Sequence, residues 1–310
     1  MTRSDERAWH SHLELKLRRT TGVHFQTFFS DVMQLRYGDD FVRLKPQGSL
    51  GDKGCDGYLN STGAVFACYG AQNGAAGPQA ALIKKMHEDF EKGIADLSGI
   101  MKSWHWTHNL IEGMPIDALL AFKALEADNS QLKFGLCGPP SIRDLFEHFD
   151  EHQREHFLGP QARQSDFLRL QMSEVKDLVD AIMVAVSGEV RSDVLIEPVS
   201  PEKLSHNDIP AAWSQMIQNG RVNAKYIDRY FDSHHDAMYG ERVAQVFRDK
   251  YTELRSGALL PGAIMDELYC FVAGPENTGV DRQVAAYSLL AYLFESCDIF
   301  ENVPEAWTAT

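Results

Sequence analysis

The residues best placed to do chemistry lie in Gly51-Asp52-Lys53-Gly54-Cys55-Asp56-Gly57-Tyr58-Leu59 and in Ala64-Val65-Phe66-Ala67-Cys68-Tyr69 just after it. They read as a glycine-rich turn, a strand opening on Asp56, a Ser-Thr-Gly loop and a second strand. A carboxylate on a strand beside a turn can reach a divalent ion such as Mg2+ without dragging backbone along, which makes Asp56 a candidate metal ligand. Asp52 can complete a carboxylate pair across the turn. Both aspartates have a structural alternative, in which they satisfy turn amides. Lys53, Lys84, Lys85 and Arg43 can form a small phosphate-reading patch or stand as solvated surface cations.

The histidines offer less. His148, His152 and His156 recur every four residues, and two histidines at that spacing on one helix can ligate zinc. Glu147, Glu151 and Glu155 are interleaved with them, which equally describes a hydrated helix. His105 and His108 stand three apart on a strand, hence on opposite faces, and cannot share a metal. His234-His235-Asp236 reads as the turn after a helix. There is no GxSxG nucleophile elbow, no GxxxxGK[ST] phosphate loop and no GxGxxG, so no ATPase activity is expected of this chain.

These groups must be positioned by two regions of different character. The chain has 310 residues, enough for two domains with separate cores, and is 44% hydrophobic and 24% charged, a globular balance. No run of 18 apolar residues spans a membrane. Met1 to Arg7 is polar with no apolar core behind it, so no secretory signal is expected. The five cysteines form no CxxC pair and read as reduced small hydrophobes of a cytoplasmic protein. The net charge of −14 is uneven: residues 1–145 hold 16 Lys and Arg against 17 Asp and Glu, a net of −1, and the rest hold 14 against 27, a net of −13. An acidic second half repels phosphate, which confines any DNA contact to the first half.

After an N-terminal extension over residues 1–21, the first half alternates. Phe25, Phe28, Phe29, Val32 and Met33 predict a helix that Gly38 closes, and Phe41 to Lys45 predicts a strand. The hairpin strands fall near 56–60 and 64–70, and a helix is predicted over Gln79–Met101. Strands at Trp104–Asn109 and Leu132–Cys137 enclose a helix over Asp117–Ala127, and another helix begins at Ile142. Antiparallel strands first and α/β crossovers later predict an α/β domain over residues 22–160, a mixed sheet flanked by helices. From residue 161 to 310 the chain reads as all-α. Helices are predicted over Ser173–Val186, Ile209–Asn219, Ala224–Phe231, Tyr239–Leu254, Gly262–Ala273 and Asp281–Phe300, the last capped by Asp281. The prolines between Val194 and Pro210 suggest an extended connector.

The element order and the Asp56 hairpin resemble the restriction-endonuclease-like nucleases of the Mrr type, over about residues 20–150. In those enzymes the aspartate holds Mg2+, and a Gln or Glu, one spacer and a Lys sit where Ala67, Cys68 and Tyr69 stand here. The first helix often adds a glutamate, where this chain offers Gln26. The lysine orients water and stabilises the transition state, and tyrosine near its ordinary pKa of about 10 is neutral at pH 7. With three of four groups replaced, the resemblance implies a degenerate nuclease-like domain used for recognition or scaffolding. It leaves open an active Mg2+-dependent DNA endonuclease in which Lys53, Lys84 or Lys85 has taken over from the missing lysine.

The second half carries a different resemblance. Tyr230-Phe231-Asp232-Ser233-His234, Val243 to Tyr251, and Ala285 through Cys297-Asp298-Ile299-Phe300-Glu301 resemble the helical C-terminal domains of bacterial ABC three-component systems. Such systems combine an ABC/SMC-type ATPase, a small accessory subunit and a variable third protein, against phage or plasmids. The resemblance implies that this half docks the ATPase partner, and an acidic helical module suits a basic partner surface.

Overall fold

Two helices, α1 (Arg3–Arg19) and α2 (Gly22–Tyr37), precede the first strand in the computed structural model, which describes residues 3–44, 54–185, 202–257, 259–274, 279–296, 299–301 and 303–304. The chain divides into two units. One is Leu13–Phe157, and the other joins Met1–His12 to Leu158–Thr310. The stretch read as an extension is therefore a helix, and its Leu13, Leu15 and Leu17 are buried. The α2 helix forms where the aromatic spacing predicts it. Phe25, Phe28, Phe29, Val32 and Met33 are all buried, and Gly38 ends it at φ +57, a left-handed conformation that favours glycine.

Strands β1 (Phe41–Arg43), β2 (Gly57–Leu59) and β3 (Ala64–Tyr69) are antiparallel neighbours. Helices α3 (Gln79–Leu97) and α4 (Ile116–Asp128) then carry the chain to β4 (Ser103–His108) and β5 (Lys133–Cys137), which run parallel to β3 and to each other. The result is the expected mixed sheet, in the order β1-β2-β3-β4-β5. Val65 lies beside Trp104 and Ala67 beside Trp106, so these residues share one face. That face buries Cys55, Val65, Ala67, Trp104 and Trp106 against Leu82, Met86 and Phe90 of α3 and Ala118, Phe122 and Leu125 of α4. On the opposite face Phe66 meets Phe29 of α2, with ring centroids 5.6 Å apart. Phe28 stacks on Phe146 of α5 (Pro139–Glu147) at 6.1 Å, completing a second helical layer.

Asn109, just past β4, is buried and fully used. Its amide donates to the carbonyls of Leu17, Thr20 and Ala71, and its oxygen accepts the Ala71 amide at 2.6 Å. One side chain thus pins the end of α1 and the exit of β3 to the sheet, with all its polar atoms satisfied.

In the helical unit, α7 (Met172–Ala185), α8 (Lys203–His206), α9 (Ala211–Gly220), α10 (Ala224–Asp232), α11 (Tyr239–Ser256) and α12 (Pro261–Ala273) lead to α13 (Val280–Glu295). Residues Gln283 to Ala291 of α13 are buried without a break, and the helix packs on α7, α9, α10 and α12. Close approach needs Gly220 on α9, where a Cβ would stand 2.6 Å from the Tyr287 carbonyl oxygen. Residues 194–201 of the expected extended connector lie outside the described residues, and its Lys203–His206 stretch is helical. The last helix differs at both ends from its prediction. Gly279 caps it, leaving Asp281 in the first turn where its charge favours the positive helix end. It stops at Glu295, with Ser296 leaving helical geometry at ψ 6 as its amide and hydroxyl close the last turn on the Tyr292 carbonyl.

Ile299-Phe300-Glu301 is held by α8. The Lys203 ammonium, fully buried, donates to the carbonyls of Phe294 at 2.6 Å and Ile299 at 2.9 Å and stands 4.4 Å over the Phe294 ring. Asn207 donates to the Glu301 carbonyl and accepts the Glu301 amide. A cation at the carbonyl end of α13 also opposes the helix dipole.

Candidate functional site

Asp56 stands immediately before β2, where the ladder is irregular. Gly57 opposes Phe66, and the Asp56 amide donates to that same Phe66 carbonyl at 2.8 Å. Two residues thus answer one across the ladder, a bulge-like step of the kind that re-aims a side chain. The Asp56 carboxylate uses it to accept the Cys68 amide at 2.6 Å. Cys68 is buried, and burial first, then the negative charge of Asp56, hold its thiol pKa well above the ordinary range. The group beside Asp56 is consequently a neutral thiol, not a thiolate.

The turn leading to Asp56 rests on α3. Gly54 adopts φ +68, and a Cβ there would lie 2.6 Å from both the Cα and the carbonyl oxygen of Asp89. Asp89 is buried, and its carboxylate accepts the Lys85 ammonium at 2.5 Å. Sequence reasoning did not single out Asp89. Its signal was a carboxylate on the apolar stripe of α3, between Met86 and Gly93, four residues after a lysine.

The other candidates disperse. The Lys84 side chain is 76% exposed and lies 3.6 Å from Glu88, an i,i+4 surface pair. Arg43 is ion-paired with Asp31. Asp52 and Lys53 lie outside the described residues. On β3, Ala67 is fully buried in the core and Tyr69 stacks on Trp106 at 5.4 Å. Burial raises the Tyr69 pKa further, so the phenol is neutral. The structure brings Asp56 to Cys68 and Lys85 to Asp89, and it leaves Lys84 at the surface.

Mg2+ takes oxygen ligands and near-octahedral geometry. Near Asp56 the described donors are its own carboxylate, already holding an amide, a neutral thiol, and the Asp89 carboxylate, already holding the Lys85 ammonium, a set that does not fit this ion. Among the described residues, no group of three His, Cys, Asp or Glu side chains is arranged to hold a metal.

The three spaced histidines do not share a helix. His148 ends α5, its Nδ1 2.9 Å from the Asp144 carbonyl. Asp150 and Gln153 then exchange reciprocal side-chain-to-amide bonds at 2.8 and 3.0 Å, a capping box that starts α6 (Glu151–Leu158) afresh. His105 and His108 fall on opposite faces as the strand period requires. His105 stacks on Phe66 at 5.0 Å and His108 meets Trp106 at 5.3 Å. Burial lowers the His108 pKa to about 4, and its Nδ1 accepts the Leu110 amide at 3.2 Å. His234 lies against Tyr239, whose hydroxyl donates to Asp180 at 2.9 Å, tying the turn after α10 to α7.

No helix among the described residues is long and apolar enough to cross a membrane. Residues 173–301 match the family model for C-terminal domain 10 of the ABC-three component (ABC-3C) systems, less than half of the chain. No curated protein and no solved structure matches the chain.

Proposed function

We propose that this chain is a component of a bacterial ABC three-component defence complex acting against phage or plasmids. Its helical unit docks an ABC/SMC-type ATPase together with a small accessory subunit. Its α/β unit is a degenerate nuclease-like domain, of restriction-endonuclease-like ancestry, that serves recognition or scaffolding, with any DNA contact made there. The observation that carries this reading is the family match over residues 173–301. Charge supports the docking role: that stretch holds 11 Lys and Arg against 21 Asp and Glu, a net of −10. Several of its cations are already neutralised within the unit, as in Lys176 with Asp180, Arg242 with Asp236 and Arg248 with Glu241. The remaining acidic surface complements a basic partner and speeds encounter with it.

The geometry around Asp56 supports recognition over cleavage. Its carboxylate is engaged in the ladder, and β3 presents neither a second carboxylate nor an amine. The test is phage plating on cells carrying the complete system with Asp56→Ala in this chain, beside co-purification of the chain with tagged ATPase. The expected result is full protection and an intact complex. Plasmid cleavage by the assembled complex in Mg2+, abolished by Asp56→Ala, would instead establish the nuclease reading, with Lys53 or Lys84 supplying the cation.

A further inference from the structure

The helical unit carries a second surface, of opposite sign to the rest. The 3-10 turn Arg221–Asn223 runs directly into α10. Asn223, Ile227 and Phe231 form the buried side of this segment, so Val222, Lys225, Tyr226 and Arg229 share its outer face. Val222 is 53% and Tyr226 57% exposed, large fractions for residues of this size. Asn223 donates to the Phe167 carbonyl at 2.9 Å, which holds the Asp166–Arg169 turn against the Arg221–Asn223 turn. That turn carries Leu168, 79% exposed, and Arg169 alongside the Arg221–Asn223 turn.

The cations here differ from most others of the unit, where Lys203 and Arg282 donate to backbone carbonyls. Lys176, Arg221, Arg242, Arg248, Lys250 and Arg255 each pair with a carboxylate. Among the described residues, Arg169, Lys225 and Arg229 enter no ion pair. Asp228 and Asp232 stand three residues after Lys225 and Arg229, on the side of α10 away from Tyr226, and Asp228 accepts the Tyr292 hydroxyl at 3.5 Å. Unpaired cations therefore accompany exposed apolar side chains on α10 and on the neighbouring turn, beside a stretch, residues 173–301, whose net charge is −10.

We infer that this patch docks an acidic amphipathic helix of a partner protein. Charge complementarity chooses the occupant. Carboxylates of such a helix neutralise Arg169, Lys225 and Arg229, and its apolar face covers Leu168, Val222 and Tyr226. A nucleic acid fits less well, because aliphatic Leu168 and Val222 give its bases nothing to stack on. The inference goes beyond ATPase docking through the acidic surface and stands or falls separately from it.

The test uses the full chain and a fluorescein-labelled probe of roughly 18 residues, long enough to hold a helix, with leucine every third or fourth position and glutamate between. Fluorescence anisotropy should show saturable binding that K225E/R229E weakens about tenfold or more and L168S/Y226S weakens comparably. Lys225→Arg should retain binding, and all variants should melt like the parent chain because every altered side chain is exposed. Four outcomes would overturn the inference: no saturable binding of the acidic probe; equal binding of a probe with lysine for glutamate; undiminished binding by K225E/R229E; or tighter binding of single-stranded oligo(dT) that displaces the peptide.

Discussion

Asp56 spends its carboxylate on a backbone amide, and that has a measurable cost when it is removed. Asp56→Ala leaves the buried Cys68 amide without its acceptor and should destabilise the α/β unit by about 1–3 kcal/mol in urea unfolding. Asp56→Asn, which keeps an acceptor oxygen, should lose less. His108 makes a prediction in pH. Burial lowers its pKa to about 4, so between the ordinary 6.5 and about 4 the unfolded chain binds a proton there that the folded chain refuses. Stability should therefore be full above pH 6.5 and decline as pH falls through that window, by up to about 3 kcal/mol. Urea melts at successive pH values check this, and His108→Asn, which preserves an acceptor for the Leu110 amide, should flatten the decline. At this scale the sequence pointed to Asp56, because glycines and a strand signal bracket it. Asp89 was hidden, since its importance comes from a contact with Gly54 that only the folded chain makes.

Among the elements, α13 and its latch concentrate the stability of the helical unit. Lys203→Met keeps the apolar stem and removes the amine, leaving the Phe294 and Ile299 carbonyls without that donor. A loss of about 1–3 kcal/mol is expected, read as a lowered melting temperature by circular dichroism. The Ile-Phe-Glu end of the family-like motif is thus accounted for by docking. Its carbonyls and the Glu301 amide are what α8 holds, and no chemistry is required of it. In the sheet, Trp104 packs against Phe90 at 5.3 Å and Phe134 at 5.7 Å, and Trp104→Ala should cost about 3–5 kcal/mol. Strands and crossover helices were legible because their apolar periods are strong and their turns carry glycine and proline. Helix α1 was not, although Trp9, Leu13 and Leu17 stand four apart, because the charged residues between them mask the stripe. The end of α13 was overrun because Ile299 and Phe300 continue the apolar count while Ser296 has already turned the backbone.

For the whole molecule, charge asymmetry was readable by counting, whereas its local reversal around Tyr226 was not. That patch exists only because the turn before α10 and the Asp166–Arg169 turn meet in space. If the acidic surface of the helical unit meets a basic partner, affinity for the ATPase should fall steeply between low and physiological salt, as surface plasmon resonance would show. Dissociation rates should change less than association rates. The sheet order has a consequence for how the protein is made. Each strand hydrogen-bonds to the one synthesised just before it, so no later segment must be threaded between two already joined. A nascent chain can zip this sheet from β1 to β5 as it leaves the ribosome, and the aromatic faces need never wait, uncovered, for a distant partner.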